Sequence, residues 1–339
     1  MKTFGKIPSG EALKRIEASS NYRDKSFHNI AATKVFTGES QVKIFWDFLN
    51  RKNIKPPKPL PSVKTNLKDL PNDKPVITWF GHSSYLIKIN GKHILVDPVF
   101  GGHASPFSFT AKSFEGSDIY TVEDLPAIDV LLISHDHYDH LDYTTVQQLI
   151  PKTKMVCTSL GVASHLQYWG FDSNNIIEFD WWDEHVLFND LKLTAVPARH
   201  FSGRGLIRNK SLWSAFVLQS NEYNLFLGAD SGYGDHFKMI HEKFSSFDIA
   251  ILECGQYNLA WHNIHMLPEE TVQAGFDLHA KVLMPVHWGK FALSLHTWDE
   301  PIQRVVAKAE ELNVRITTPM IGEPVILDRS YPGSKWWQM

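Results

Sequence analysis

The sequence predicts an α/β protein with two mixed β-sheets and helices on their outer faces. Ten apolar runs indicate buried strands, and four further segments indicate helices. The strand runs between residues 76 and 97 all precede the first helical segment, whereas a doubly wound parallel sheet alternates strand and helix from its start. No internal repeat of the 20–50-residue period typical of solenoids is visible. The order of the runs therefore favours two packed sheets.

The strand and helix candidates follow one another from residue 76 to residue 312. The predicted strands comprise residues 76–80, 85–89, 94–97, 130–134, 155–158, 191–196, 214–219, 224–228, 249–253 and 282–286. The predicted helices comprise residues 142–151, 158–169, 268–279 and 300–312. In the third of these helices, Pro268 stands in the first turn and two acidic residues follow it, which is typical of a helix N-terminus.

Residues 1–70 differ in composition from the rest of the chain. They are polar and basic up to about residue 34, and residues 55–61 form a stiff proline-rich linker. We therefore predict an N-terminal extension over residues 1–70 and a folded domain over residues 71–339. Within the extension, the amphipathic segment 41–50 carries the apolar residues Val42, Ile44, Phe45, Phe48 and Leu49. We expect this stripe to pack against the core or a dimer partner, with a membrane-interface helix as the alternative.

The composition excludes several classes of protein. Hydrophobic residues make up 43% of the 339 residues, which is enough for a large core. The net charge of −3 argues against electrostatic binding to nucleic acid. Cys157 and Cys254 are too few for a disulfide framework. Because the first residues lack an apolar leader and no run approaches ~18 apolar residues, we expect a cytoplasmic protein, with peripheral contact at the inner membrane face as a further option.

Residues 134–142, Ser-His-Asp-His-Tyr-Asp-His-Leu-Asp, form the most informative segment. Four potential metal ligands, His135, His137, Asp139 and His140, follow directly on an apolar strand run. Imidazoles together with a carboxylate suit borderline-soft divalent metals, above all zinc. One metal would not need so many ligands from a single loop, so the segment predicts two metals that share it.

Three other strand runs each end on a potential metal ligand. His200 ends the run that begins at residue 191, Asp230 ends the run from residue 224, and His287 ends the run from residue 281. A single histidine at a strand end is more often a hydrogen-bonded turn residue than a ligand. The repetition of the pattern at three strand ends favours ligands.

These residues carry a resemblance to a known family. The pattern His135-x-His-x-Asp-His140, followed by His200, Asp230 and His287, resembles the metallo-β-lactamase superfamily. Within that superfamily, the segments Asp180-Trp-Trp and His287-Trp-Gly-Lys-Phe-Ala-Leu293 are similar to those of N-acylphosphatidylethanolamine-hydrolysing phospholipases D and their bacterial relatives. The resemblance covers roughly residues 76–300 and implies an αββα four-layer sandwich.

The resemblance also implies a role for each residue of the site. The implied ligands of the first Zn²⁺ are His135, His137 and His200, and those of the second are Asp139, His140 and His287, with Asp230 as the bridge. Asp97 and Asp142 are then expected to orient ligating imidazoles. His265 corresponds to a family histidine near the metals and is expected to contact the substrate or to move a proton. Asp139, Asp230 and His265 are the predicted catalytic residues.

The implied activity is that of a hydrolase with two Zn²⁺ ions per chain, which lower the pKa of a shared water towards ~7. The leading hypothesis is a phosphodiesterase of phospholipase D type that releases N-acylethanolamine and phosphatidic acid. A lactonase or carboxylic ester hydrolase is the alternative, because the ligands do not distinguish attack at phosphorus from attack at a carbonyl carbon. The segment that begins at Glu253 departs from the animal enzyme near the expected cleft, which leaves the substrate open. We expect a phospholipid or other small-molecule substrate, no nucleic-acid partner, and a homodimer as a further option.

Overall fold

The structure is a computed structural model that describes residues 1–38, 40–188 and 190–339. Within these ranges the helices are α1 (Glu11–Glu17), α2 (Gln41–Asn50), α3 (Tyr143–Leu149), α4 (Ala163–Tyr168), α5 (His236–Phe244), α6 (Pro268–Asp277) and α7 (Glu300–Leu312). The strands are β1 (Tyr22–Arg23), β2 (Ser26–Phe27), β3 (Val76–Trp79), β4 (Tyr85–Ile89), β5 (Lys92–Val96), β6 (Ile128–Ile133), β7 (Thr153–Ser159), β8 (Ile176–Phe179), β9 (Glu184–Phe188), β10 (Leu191–Pro197), β11 (Ser214–Gln219), β12 (Asn224–Leu227), β13 (Ile249–Glu253), β14 (Leu283–Val286) and β15 (Pro324–Ile326).

Two large mixed sheets form the body of the described chain. The first has seven strands in the order β15-β3-β4-β5-β6-β7-β8. Its pairs are antiparallel from β15 to β5 and parallel from β5 to β8. The second has six strands in the order β14-β13-β12-β11-β10-β9, antiparallel from β9 to β12 and parallel from β12 to β14. Strands β1 and β2 form a separate small hairpin.

The core lies between the sheets and under the outer helices. Successive side chains of a strand point to opposite faces of its sheet. Ile87 and Leu132 of the first sheet share one buried cluster with Phe216 of the second sheet. Their neighbours Leu86 and Leu131 instead share a cluster with side chains of α3 and α4. On the second sheet, α6 contacts β13, β14 and α7. The layers are therefore helix, sheet, sheet and helix, which confirms the predicted αββα sandwich.

The predicted elements agree with this architecture. All ten predicted strands are confirmed, with differences of one or two residues at their ends. The four predicted helices are also confirmed, but the second was predicted to begin too early, because residues 158 and 159 still belong to β7. The sequence analysis missed β8, β9, β15, the β1–β2 hairpin, α1 and α5. The division of the chain at residue 70 stays a prediction.

The first part of the N-terminal segment packs on the sandwich. Arg15 forms an ion pair with Glu178. The Asn21 amide donates a hydrogen bond to Asp180 at 2.8 Å. The Asn29 amide donates to the carbonyl of His200 at 2.8 Å and accepts from the backbone N–H of His200 at 3.0 Å. The N-terminal segment therefore reaches one of the predicted metal ligands.

Helix α2 exposes the apolar stripe that the sequence indicated. Val42, Phe45 and Leu49 are 78%, 63% and 62% exposed, and Trp46 is 65% exposed. Packing against a dimer partner, one half of the prediction for this stripe, stays a prediction, whereas packing against the core is wrong. The physical reason is that Arg51, just after the helix, provides the attachment by donating hydrogen bonds to the carbonyls of residues 292 and 294. None of the helices in the described ranges has the length and apolar character needed to span a bilayer.

Arg204 fastens the loop that follows β6. The Arg204 side chain is buried, and its guanidinium donates to the carbonyls of Asp136 at 2.8 Å and Leu141 at 2.7 Å. It also donates to the carbonyl of Thr3 and lies over the ring of Tyr138 at 4.0 Å. Both ends of the predicted metal-binding loop are thus tied to one cation.

We predict that Arg204→Ala lowers the free energy of unfolding by about 3 kcal/mol, because buried carbonyls lose a charged hydrogen-bond donor. Urea unfolding measures the change. Arg208→Ala is the matched control, since Arg208 is an exposed arginine four residues away. Equal stability of the two variants would contradict the role assigned to Arg204.

Candidate metal centre

The seven predicted ligands meet at one edge of the two sheets. Four of them stand on the loop after β6, and the others follow β10, β12 and β14. The ends of neighbouring strands lie side by side, so polar residues placed just beyond them are brought together. The ligand atoms form two groups, each with its members within 4.8 Å of one another.

The first group contains three histidines and one carboxylate: His135, His137, His200 and Asp230. Nδ1 of His137 lies 3.0 Å from Nε2 of His135 and 3.2 Å from Nε2 of His200. The other ring nitrogen of His200 donates to the carbonyl of Ile264 at 2.9 Å, which fixes the orientation of the ring. These contacts leave three imidazole nitrogens directed at one volume.

The second group contains the remaining predicted ligands and one histidine that the sequence analysis missed: His82, Asp139, His140 and His287. Nε2 of His82 lies 2.9 Å from Oδ2 of Asp139. Nε2 of His140 lies 3.7 Å from the same oxygen. His82 follows β3 in the segment Trp79-Phe-Gly-His, so its position just past an apolar strand was a signal that the analysis did not use.

Asp230 joins the two groups. Its Oδ1 lies 3.1 Å from Nε2 of His140 and 3.1 Å from Nδ1 of His287. Its Oδ2 lies 3.8 Å from Nε2 of His135 and 3.7 Å from Nε2 of His200. One oxygen faces each group, which is the arrangement that a bridging carboxylate requires.

Several polar atoms of the site are buried without a hydrogen-bond partner among the described residues. They include Nε2 of His287 as well as Nε2 of His140 and Oδ1 of Asp230, which lie 3.1 Å apart but without the angles of a hydrogen bond. Buried polar atoms are nearly always hydrogen-bonded, so three unpartnered atoms in one cluster call for a ligand. Imidazole nitrogens and carboxylate oxygens are donors that zinc and similar divalent metals prefer. The residues therefore fit two divalent metals.

The charges of the site also suit metal binding. Burial, together with repulsion from neighbouring histidines, lowers the pKa of His135 well below its usual value. Burial likewise lowers the pKa of His200 and of His287. Burial opposes the charge of Asp230, but attraction to His140 and His287 outweighs it and holds the pKa of Asp230 well below the usual range. Burial opposes the charge of His140, but the carboxylates of Asp230, Asp139 and Asp97 outweigh burial and raise the pKa of His140 well above its usual value. The lowered pKa values of His135, His200 and His287 favour the neutral imidazoles that, beside an ionised carboxylate, coordinate metals.

Asp97 supports the second group from behind. Its Oδ2 accepts a hydrogen bond from Nδ1 of His140 at 2.7 Å, and its Oδ1 accepts from the backbone N–H of Ser134 at 2.8 Å. Asp97 thus orients a ligating imidazole, as predicted. The same prediction for Asp142 is wrong, because both Asp142 oxygens accept hydrogen bonds at the N-terminus of α3 from Thr144 and Thr145.

His265 lies beside the metal ligands and is paired with Glu253. Its ring centroid is 5.0 Å from that of His200 and 5.4 Å from that of His287. Nδ1 of His265 donates to Glu253 at 2.7 Å. Burial raises the pKa of Glu253 to about 7, although His265 opposes that rise. Burial lowers the pKa of His265, but Glu253 more than compensates and raises it to about 9. The sequence analysis singled out His265 and missed its partner.

The turns that carry His82 and His287 are locked to each other. Both residues have positive φ, 54° and 67°, a conformation that costs energy for a residue with a side chain. The His82 N–H donates to the carbonyl of Trp288 at 2.9 Å, and the His287 N–H donates to the carbonyl of His82 at 2.9 Å. A Cβ on Gly255 would lie 2.1 Å from the His287 carbonyl oxygen, so this close approach requires glycine.

A cavity of about 860 Å³ is lined by Asp136, Arg204 and the segment 4–8, among others. None of the seven predicted ligands lines it. The cavity is therefore not the place where the metals would act on a substrate.

The layered fold and the two ligand groups together define the class of protein. The family model for the β-lactamase superfamily domain matches residues 92–288. The chain belongs to the metallo-β-lactamase superfamily. It is a metal-dependent hydrolase of that superfamily.

Similar proteins extend over different shares of the chain. An uncharacterised protein of Mycobacterium tuberculosis is 36% identical over 330 residues, which cover 95% of this chain and 88% of that protein. The mitochondrial N-acyl-phosphatidylethanolamine-hydrolyzing phospholipase D of Saccharomyces cerevisiae is 35% identical over 243 residues, which cover 69% of this chain but only 51% of the yeast protein. The solved structure of the metallo hydrolase Igni18 from Ignicoccus hospitalis covers 76% of this chain and all of that chain, with a TM-score of 0.58 and 18% identity. This structural likeness concerns the fold.

We predict that the purified protein contains about two equivalents of divalent metal per chain. The His140→Ala variant should lose at least one of them, because Nε2 of His140 lies between the carboxylates of Asp139 and Asp230. Elemental analysis by mass spectrometry measures the content. His185→Ala serves as the control, since His185 is exposed on β9. Full retention of both metals by the His140 variant would show that His140 is not a ligand.

Proposed function

We propose that the protein is a zinc-dependent phosphodiesterase of phospholipase D type that cleaves N-acylphosphatidylethanolamine-like phospholipids to N-acylethanolamine and phosphatidic acid. The observation that carries the proposal is the 35% identity to the yeast enzyme of that activity over 69% of this chain. A Caenorhabditis elegans enzyme of the same name, 31% identical over 229 residues, supports it further. Zinc is proposed because the ligand set is rich in imidazole.

The residues of the site suit hydrolysis of a phosphodiester. Two divalent metals in such a site supply an activated water at neutral pH and stabilise the negative charge that develops in the reaction. The seven predicted ligands, together with His82 in the second group, would hold these metals. His265, whose side chain is 12% exposed, lies beside the ligands and is partly accessible to a substrate. We assign it the transfer of a proton to the leaving oxygen.

A phospholipid substrate also requires contact with a membrane, and α2 offers a suitable surface. Phe45, Trp46 and their apolar neighbours are exposed, and Lys52, Lys55 and Lys58 after the helix are exposed cations. An apolar face flanked by cations matches the interface of a bilayer that contains anionic lipids. Arg51, just after the helix, donates hydrogen bonds to the carbonyls of residues 292 and 294. These residues follow Phe291, whose ring centroid lies 5.2 Å from that of His82. The proposed membrane surface is therefore connected to the metal centre through Arg51 and the segment 291–294.

Hydrolysis in ¹⁸O-water tests the position of attack. We predict that the label enters the phosphate product and is absent from the released alcohol, because the activated water attacks phosphorus. Mass spectrometry of the products from N-acylphosphatidylethanolamine measures it. Asp230→Ala is the control and should abolish turnover, since it removes the carboxylate that joins the two ligand groups. Label in a carboxylate product would assign the protein to the lactonase or ester hydrolase class.

Sedimentation with vesicles tests the membrane surface. We predict that replacing Phe45 and Trp46 together by alanine weakens binding to vesicles of phosphatidylethanolamine and phosphatidylglycerol by at least about tenfold, because two large apolar side chains no longer enter the interface. Val186→Ala is the control, because Val186 is 61% exposed on β9. Unchanged vesicle binding, accompanied by a change from dimer to monomer, would assign the surface to a second copy of the chain instead.

A further inference from the structure

Glu253 is a buried carboxylate at the end of β13, on the same edge as the metal ligands. Its side chain is 1% exposed. Burial of an ionisable group is costly unless hydrogen bonds and charges compensate for it. Glu253 is compensated on both oxygens. Oε1 accepts hydrogen bonds from the backbone N–H groups of Ser231 at 2.8 Å and Met266 at 3.2 Å, and Oε2 accepts from Nδ1 of His265 at 2.7 Å.

The two backbone donors are adjacent to functional residues. Ser231 directly follows Asp230, and Met266 directly follows His265. One carboxylate therefore ties the segment of the bridging aspartate to the segment of His265. In addition, the Ser231 carbonyl accepts a hydrogen bond from the Met266 N–H at 3.1 Å. The two segments consequently hold a fixed distance from each other.

The hydrogen bond to Glu253 determines which nitrogen of His265 can act. A carboxylate partner keeps the proton of the ring on Nδ1, and the second nitrogen is then the one that exchanges protons with other groups. The ring is stacked against that of His287, with an interplanar angle of 19°. Nε2 is thus the nitrogen of His265 left for a substrate beside the metal ligands.

We propose that Glu253 is a positioning residue that holds His265 with Nδ1 protonated and Nε2 available to protonate the leaving oxygen. In the reaction, the oxygen of water bonds to phosphorus, the bond from phosphorus to the alcohol oxygen breaks, and that oxygen takes the proton from Nε2. The proton that the attacking water gives up restores Nε2. The inference rests on the proposed function in taking the leaving group to be an alcohol.

The first test compares two substrates in the metal-loaded Glu253→Gln variant. Glutamine has the same shape, and its amide oxygen can still accept hydrogen bonds from the backbone N–H groups of Ser231 and Met266. Its NH₂ group then faces Nδ1 of His265, and because NH₂ is only a donor, it cannot accept the hydrogen bond from Nδ1. With N-acylphosphatidylethanolamine we expect kcat to fall about 10²-fold while KM stays within about twofold. With bis(p-nitrophenyl) phosphate, whose leaving group needs no proton, we expect kcat to change less than about threefold.

Glu178→Gln is the matched control. Glu178 is also a largely buried glutamate that accepts two backbone hydrogen bonds, from Gly161 at 2.7 Å and Ala163 at 3.2 Å, but it lies outside the site. Glu178→Gln should leave kcat and KM for both substrates unchanged.

Equal slowing of both substrates by Glu253→Gln would reduce Glu253 to a structural role. Loss of metal from that variant would make Glu253 a ligand, since it also belongs to a group with Asp230, His265 and His287 within 4.8 Å. Either result overturns the proposal.

A second measurement does not depend on turnover. In the metal-loaded protein with ¹⁵N-labelled histidine, at a pH high enough for the His265 ring to be neutral, we expect its signal to show the single proton on Nδ1. The signal is assigned by its loss in His265→Ala. In Glu253→Gln the proton should move to Nε2. A neutral His265 ring with its single proton on Nε2 in the unaltered protein would contradict the proposal, whereas the protonated ring, with a proton on both nitrogens, is the form that donates from Nε2. If N-acylphosphatidylethanolamine is not hydrolysed while the aryl diester is, the proposed substrate is wrong. The ¹⁵N signal of His265 alone then tests whether Glu253 positions His265.

Discussion

The attraction between one buried carboxylate and the imidazoles around it governs this structure. Asp230 is almost completely buried, and its two oxygens face two separate groups of ligands. A buried cluster of this kind is unfavourable unless cations complete it, because the unpartnered nitrogens and oxygen have lost their water. Metals held by this cluster would therefore contribute to the fold as well as to the chemistry, and we expect their removal to loosen the strand-end loops that meet at this edge.

The rest of the protein holds the ligands in place around that cluster. The sandwich core fixes the strand ends, and each ligand stands only a few residues beyond one. Asp97 orients His140, the carbonyl of Ile264 orients His200, and the left-handed turns at His82 and His287 hydrogen-bond to each other. Farther out, Arg204 ties both ends of the ligand loop, and Asn29 of the N-terminal segment fastens the backbone of His200.

Much of this could be predicted because burial leaves a strong pattern in the sequence. The central strands are continuous apolar runs, so their positions and the polar residues at their ends were visible. The sequence analysis missed strands β9 and β15 because edge strands are short and partly polar, as Glu184 and His185 of β9 show. His82 and Glu253 also end apolar runs, and the same rule would have found them. The cap of α3 by Asp142 is a local contact with Thr144 and Thr145, which is typical of a helix N-terminus and which the sequence analysis did not use. The exposure of α2, by contrast, depends on tertiary contacts that no local pattern records.

The central claim is that two metals are bound on either side of Asp230. Anomalous X-ray scattering at the zinc absorption edge, from crystals of the metal-loaded protein, tests it most directly. The account predicts two anomalous peaks, one among His135, His137 and His200 and the other among Asp139, His140 and His287, with Asp230 in contact with both. A single peak, or a second peak outside these two groups, would contradict it.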